Sequence, residues 1–138
     1  MSQYAPIMAT KKSSTPPDYL LDMKRALEFV GDEEGVYAMM PMLLDSLRND
    51  VPSILNLLKA GDAKAANKLL HPLKGFVPVF CVDYVVDRVT EVEVLSKTAA
   101  ATEVLPRYVA VMPLLERLRV EVEAAVPPDW SNTLPPAA

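Results

Sequence analysis

The sequence predicts an all-α protein: an antiparallel up-and-down four-helix bundle with an additional N-terminal helix. Apolar residues recur with the i, i+3, i+4, i+7 spacing of an amphipathic helix through the middle of the chain. Glycines and capping residues interrupt this pattern at points that leave only short connections, which favours antiparallel neighbours. The chain has 138 residues, of which 51% are hydrophobic, so it is long and apolar enough for one buried core.

The ends differ in composition from the middle. Residues 1–17 are rich in Ser, Thr, Lys and Pro, and residues 127–138 read "PPDWSNTLPPAA". Both compositions are typical of flexible tails. The sequence therefore predicts a single helical domain over 18–126, between an N-terminal tail and a Pro-rich C-terminal tail.

The first two helices are delimited by glycines. The first is predicted over about 18–30, with Asp18 near its start and Gly31 after its end. The second is predicted over about 33–60 and ends at Gly61. A glycine after the last apolar position is typical of a helix C-terminus, because it adopts the left-handed conformation there without steric cost.

Prolines and caps shape the next part of the chain. Pro41 and Pro52 lie inside the second helix and should kink or split it, because proline removes a backbone hydrogen bond. The third helix is expected to start after Asp62, whose carboxylate can cap the first turn, and to end near Phe80.

Two further helices complete the predicted bundle. The fourth covers about 83–97, and its valines lie on one helical face although valine also favours strands. Those valines are Val82, Val85, Val86, Val89 and Val92. The fifth covers about 102–125, with Thr102 as the cap and with Pro106 and Pro113 inside it.

The composition excludes several classes of function. The net charge of −4 provides no basic stripe for nucleic acid, and no run of apolar residues is long enough to cross a membrane. A single cysteine and a single histidine cannot form a usual structural zinc site, so no metal is expected. No glycine-rich nucleotide loop is present. The lone cysteine and the lack of a signal peptide favour a cytoplasmic protein.

His71 is the one histidine, and it falls on the polar face of the third helix. A helical wheel gathers an apolar stripe of Ala66, Leu69, Leu73, Phe76, Val77 and Phe80. The opposite face gathers Asn67, Lys68, His71, Lys74, Gly75 and Pro78, with Lys64 nearly in line. Periodicity alone favours an idle surface histidine. A Cys–His pair of Cys81 and His71 is disfavoured by their separation of ten residues along one helical region.

Two features of this face favour a functional histidine. Lys64, Lys68 and Lys74 surround it in an otherwise acidic protein, and such a cluster attracts anions such as a phosphoryl group. Gly75 lies one turn beyond His71, where glycine costs about 1 kcal/mol relative to alanine within a helix. It leaves a gap through which another surface can approach.

The segment "HPLKG" resembles the His-x-x-Lys-Gly signature of histidine-containing phosphotransfer (HPt) domains. The similarity extends to "GDAKAANKLLHPLKG", to the preceding "MMPMLLDSLRNDVPSILNLLKAGD" and to "VVDRVTEVEVL", and covers about 18–125. The resemblance implies a phosphorelay carrier in two-component signalling, without kinase activity of its own. His71 would accept a phosphoryl group from a receiver-domain aspartyl phosphate and pass it on.

The resemblance also implies roles for the neighbours of His71. Lys74 would assist by electrostatics, and Gly75 would leave room for the partner. That partner would be a response-regulator receiver domain, a hybrid sensor histidine kinase, or both, with neither nucleic acid nor membrane involved. Magnesium would belong to the receiver only, so no cofactor is expected on this chain. The partner-binding surface would include the remaining polar residues of this face, Lys64, Asn67, Lys68 and Pro78.

The pattern departs from the family at two positions. Pro72 follows the histidine directly, and it should disturb the helix by removing the donor to the Lys68 carbonyl. Phe76 stands where the family usually has a small residue. Two interpretations stay open: a tilted but active His71, or an HPt-like bundle that binds a signalling partner without phosphotransfer. The Met-rich segment "YAMMPML" could provide an adaptable binding surface, although ordinary core packing is the simpler interpretation.

Overall fold

A computed structural model describes residues 16–126, and these residues form five helices. Helix α1 spans Met23–Val30. Helix α2 is built from three consecutive segments, Glu33–Asp45, a π-helical turn at Ser46–Asp50, and Val51–Lys59. Helices α3, α4 and α5 span Ala63–Phe80, Asp83–Ser96 and Ala101–Ala125. The two predicted tails, apart from residues 16 and 17, lie outside the described residues.

The predicted fold class is confirmed. Helices α2, α3, α4 and α5 pack as a four-helix bundle in which each helix contacts its two neighbours, and α1 packs on α2 and α3. The described part of the chain contains no β-strand, only an isolated antiparallel bridge between Leu21 and Cys81. None of the described helices is long and apolar enough to cross a membrane.

Local capping explains where three helices begin. Asp22, Asp32 and Asp62 each accept a hydrogen bond from the backbone N–H three residues later, at N···O distances of 3.0, 2.6 and 3.0 Å. Each bond satisfies one of the free N–H groups of a first turn. Gly31 and Gly61, with φ of 108° and 85°, end α1 and α2 in the left-handed conformation.

One predicted helix start and two predicted caps are wrong. Helix α1 begins at Met23 with Asp22 as its cap, and not near Asp18. Helix α5 begins at Ala101 after Ala100, so Thr102 lies within the first turn and does not cap it. In both cases the sequence offers a plausible capping residue that the chain leaves unused.

Residues 17–22 form an extended N-terminal strap that explains the late start of α1. The Glu121 carboxylate in α5 accepts hydrogen bonds from the N–H groups of Leu20 and Leu21, both at 2.9 Å. Arg117 donates to the carbonyls of Pro17 and Asp18 at 3.0 and 2.9 Å. The Asp22 N–H donates to the Phe80 carbonyl at 2.7 Å. The Asp18 carbonyl and the Asp22 N–H, which would bond to each other in a helix capped at Asp18, are therefore paired elsewhere.

We expect Glu121→Ala to lower the free energy of unfolding by about 1–2 kcal/mol, because two backbone N–H groups lose a charged acceptor. Denaturant unfolding measures the loss, and amide hydrogen exchange at Leu20 and Leu21 should accelerate in step. Glu28→Ala, at an exposed position of α1, is the matched control. If Glu121→Ala and Glu28→Ala lowered the free energy of unfolding equally, Glu121 would not be what holds the N-terminal strap in place.

A π-helical turn interrupts helix α2 just before Pro52. The turn Ser46–Asp50 ends two residues before this proline. Because Pro52 has no N–H for the carbonyl one turn earlier, the helix widens locally, as π-turns do. The buried Tyr108 hydroxyl of α5 donates to the Val51 carbonyl at 2.8 Å and fixes this part of α2 against the bundle. Burial raises the pKa of Tyr108 well above its usual range, so its hydroxyl stays a donor.

Candidate functional site

Helix α3 runs without interruption through Pro72 and Pro78, from Ala63 to Phe80. His71 therefore stays within the helix, although Pro72 was expected to disturb it. The buried side of α3 includes Ala66, Leu70, Leu73, Val77, Val79 and Phe80. Of the predicted stripe, Leu69 and Phe76 are only half-buried, since Leu70 rather than Leu69 points into the core. The predicted apolar stripe is therefore displaced around α3 by a fraction of a turn, but His71 lies on the exposed side of the helix as expected.

His71 is exposed, and its imidazole ring contacts the buried carboxylate of Glu93. The imidazole side chain is 68% exposed, whereas the Glu93 side chain of α4 is 0% exposed. Nδ1 of His71 lies 3.3 Å from Oε2 of Glu93. An ionised carboxylate only accepts hydrogen bonds, so in the neutral imidazole Nδ1 carries the proton and Nε2 has the lone pair.

Glu93 is the centre of a polar cluster between α3 and α4. Oε1 accepts a hydrogen bond from Lys74 Nζ at 3.2 Å and lies 3.7 Å from Lys97 Nζ. Oε2 accepts from Asn67 Nδ2 at 3.2 Å in addition to His71. Ser96 Oγ donates to the Glu93 backbone carbonyl at 2.7 Å and accepts from Asn67 at 2.8 Å.

These contacts determine the charge state of Glu93. Burial by itself would raise the pKa of the carboxyl group, but hydrogen bonds from Lys74, His71 and Asn67 outweigh burial and lower the pKa below its ordinary value of 4.5. The carboxylate is therefore ionised at neutral pH. A buried negative charge beneath an exposed imidazole stabilises positive charge that develops on the ring.

The predicted site residues divide into three groups. His71, Lys74 and Asn67 meet at Glu93. Lys64 and Lys68 are exposed on the same helix, and Gly75 is exposed beside the histidine. Pro78 is half-buried and its carbonyl accepts a hydrogen bond from Arg25 Nε at 2.9 Å, so it helps to attach α1.

Gly75 has open space around it. A Cβ atom at Gly75 would meet no other atom within 4 Å, and the backbone there is helical without a positive φ. Neither backbone conformation nor packing within the described residues requires glycine at this position. A close approach by another molecule would require it.

An apolar groove borders the histidine on the side of α2. It has a volume of about 340 Å³, with Pro41 and Met42 on one wall and Pro72 and Phe76 on the other. Asp45, Ser46 and Asp50 complete the lining near the π-helical turn. The two departures from the family pattern, Pro72 and Phe76, thus form one wall of a surface beside His71. Met42 is 56% exposed, so one residue of the Met-rich segment is available for contact while Met40 is in the core.

The Cys81–His71 pair, which the sequence already disfavours, is excluded by the structure. Cys81 is fully buried at the end of α3, where burial raises the pKa of its thiol to about 12, whereas His71 is exposed nearly three turns earlier. The described residues contain no group of three or more His, Cys, Asp or Glu side chains that could hold a metal ion.

Sequence reasoning missed Glu93, Ser96 and Lys97. The signal for Glu93 is present, because it follows Val89 by four residues and Val86 by seven and so falls on the apolar face of α4. A charged residue at such a position is rarely buried without partners.

Comparison with models of protein families, with curated proteins and with solved structures found no match. The functional assignment therefore rests on the geometry around His71 and on the sequence pattern that contains it.

Proposed function

We propose that the protein is a phosphorelay carrier of two-component signalling, with His71 as the phosphoacceptor. The observation that carries the proposal is the exposed imidazole with Nδ1 held by a buried carboxylate, which leaves Nε2 free toward solvent. This arrangement provides a positioned nitrogen nucleophile without a metal or a nucleotide on this chain.

The transfer step follows from this geometry. The Nε2 lone pair attacks the phosphorus of an aspartyl phosphate on a receiver domain. The bond between phosphorus and the aspartyl oxygen breaks, and that oxygen leaves as a carboxylate with the bonding electrons. The proton on Nδ1 remains in place, so the ring becomes positively charged. Glu93 stabilises that charge through the hydrogen bond at 3.3 Å.

Lys74 supplies positive charge for the arriving phosphoryl group. It lies three residues after His71 on the same helical face, and its side chain is 31% exposed. Phosphoryl transfer depends mainly on positioning and on neutralising charge on the equatorial oxygens, which an ammonium group does. Lys64 and Lys68 extend the positive potential along α3 and would steer an acidic partner site.

The groove beside His71 supports docking of a protein partner. Its walls, Met42 and Pro41 on α2 and Phe76 on α3, offer apolar surface close in sequence to His71. A receiver domain that buries a side chain in this groove would approach Gly75, where none of the described residues lies within 4 Å of an added methyl group. The alternative, an HPt-like bundle that binds a partner without transfer, would use the same surface.

A direct test separates these alternatives. The purified chain is incubated with phosphoramidate, a small donor that needs no partner, and with phosphorylated receiver domains of the host. We expect a mass increase of one phosphate on the peptide that contains His71, labile in acid and stable in base. Absence of this adduct with every donor would overturn the carrier function and leave binding without transfer.

We expect Gly75→Ala to increase the stability of the protein and to slow transfer from a receiver domain. Because the site is helical and open, alanine should raise the free energy of unfolding by up to about 1 kcal/mol. The added methyl group should slow transfer from a receiver domain by roughly tenfold, since overpacking a close interface costs about 1–3 kcal/mol. Thermal unfolding and rapid-quench transfer measure the two effects. If the variant were more stable and equally fast, Gly75 would have no role in partner access.

A further inference from the structure

Two lysines share one oxygen of the buried Glu93 carboxylate, and only one of them lies on the helix of His71. Lys74 of α3 donates to Oε1 at 3.2 Å, and Lys97, the residue directly after α4, lies 3.7 Å from the same oxygen. The other oxygen is occupied by His71 and Asn67. At 3.7 Å, Lys97 and Glu93 form an ion pair that is too long for a hydrogen bond.

Phosphorylation of His71 would create a competitor for Lys74. A phosphoryl group carries close to two negative charges and three strong acceptor oxygens. It would arrive on the same helical face as Lys74, which reaches the surface. The Glu93 side chain is 0% exposed while Lys74 covers it, so an ammonium group that turns away leaves the carboxylate without its nearest counter-charge.

Lys97 is close enough to replace Lys74 as the partner of Oε1. It follows Glu93 by four residues at the C-terminal end of α4, so the pair can shorten by side-chain rotation without movement of either helix. Its side chain is 49% exposed and borders an open pocket of about 520 Å³, together with Lys64, Asn67 and Ser96. The Lys97 side chain is therefore not packed tightly on this side and can rotate.

We propose that Lys97 is a positioning residue that takes over Oε1 of Glu93 when Lys74 turns to the phosphoryl group on His71. This inference rests on the proposed carrier function and adds a residue to it. The exchange keeps the buried carboxylate paired in both states, and it keeps Glu93 in place beneath the ring. Lys97 acts through Glu93 and does not touch the reacting atoms.

The test compares Lys97→Met, which keeps the aliphatic stem, with Lys97→Arg, which keeps the charge. Lys59→Met is the matched control, because it removes the same charge from an exposed position in the last turn of another helix, α2. Each protein is phosphorylated with phosphoramidate, and the rate is followed by intact mass. The melting temperature is measured before and after phosphorylation.

We expect Lys97→Met to reduce the phosphorylation rate by roughly fivefold, the effect of losing one partly exposed ion pair. Its melting temperature should fall more in the phosphorylated than in the unmodified state, and Lys97→Arg should restore both properties. A Lys97→Met protein that matches Lys59→Met in rate, or that loses equal stability in both states, would overturn the exchange. A wild-type chain that takes no phosphoryl group would instead overturn the carrier function itself.

Discussion

His71→Gln is expected to abolish phosphorylation completely, with phosphoramidate and with receiver domains alike. His71 is the only histidine of the chain, and its Nε2 is the only nitrogen of the ring that is free of internal contacts among the described residues. Because the side chain is exposed and makes one hydrogen bond at 3.3 Å, the free energy of unfolding should change by less than about 1 kcal/mol. Intact mass measures phosphorylation, and denaturant unfolding measures the change in stability.

His71→Asn is the matched control for this substitution. The amide nitrogen of asparagine lies close to the place of Nδ1, so it can still donate to Glu93, but it provides no nucleophile at the place of Nε2. Both variants should therefore be inactive, and His71→Asn should be the closer of the two to wild-type stability. An adduct that persists in either variant would place the acceptor elsewhere and remove His71 from the mechanism.

The parts of the fold that depend on local chemistry were predictable from the sequence. Asp62 caps α3 and Gly61 ends α2 because both effects involve residues within one turn of each other. The start of α1 was not predictable in this way. Asp18 and Asp22 are both suitable caps, and the choice between them depends on Glu121 and Arg117, about a hundred residues away.

The same distinction applies to the candidate site. His71, Lys74 and Gly75 lie within five residues, so their common face could be predicted from helical periodicity. Glu93 lies 22 residues from His71 on another helix, and its contact depends on how α3 and α4 pack. Its position among the valines of α4 marks it as unusual, but only the packing shows which residues compensate its charge.

The uninterrupted α3 also changes the meaning of Pro72. From the sequence, proline beside the phosphoacceptor suggested either a tilted histidine or an inactive site. In the structure His71 is exposed and bonded to Glu93, while Pro72 faces the groove shared with Met42 and Phe76. Pro72 thus lines the groove, and it does not separate His71 from the Glu93 carboxylate.

Glu93→Ala should have the largest effect on stability of any single change at the site, about 2–3 kcal/mol. The substitution removes the common acceptor of Lys74, His71 and Asn67 and leaves a void in a fully buried position. The cost should stay below that of a fully buried ion pair, because both lysines reach solvent and can be hydrated again. Phosphorylation by phosphoramidate should slow by roughly tenfold or more, since the ring loses its fixed tautomer and its counter-charge. Glu103→Ala, at an exposed position of α5, should leave both measurements close to wild type.

The pH dependence of stability provides a second measure of the same carboxylate. The pKa of Glu93 is lowered in the folded protein, so its stabilising effect is fully present above the ordinary pKa of 4.5 and is lost as the pH falls through the folded-state pKa. The difference in unfolding free energy between wild type and Glu93→Gln should therefore shrink as the pH falls below about 4.5. Other acidic groups titrate in both proteins and largely cancel in this difference. A difference that stayed constant down to pH 2, or grew, would mean that the Glu93 carboxylate is not stabilised in its ionised form by Lys74, His71 and Asn67.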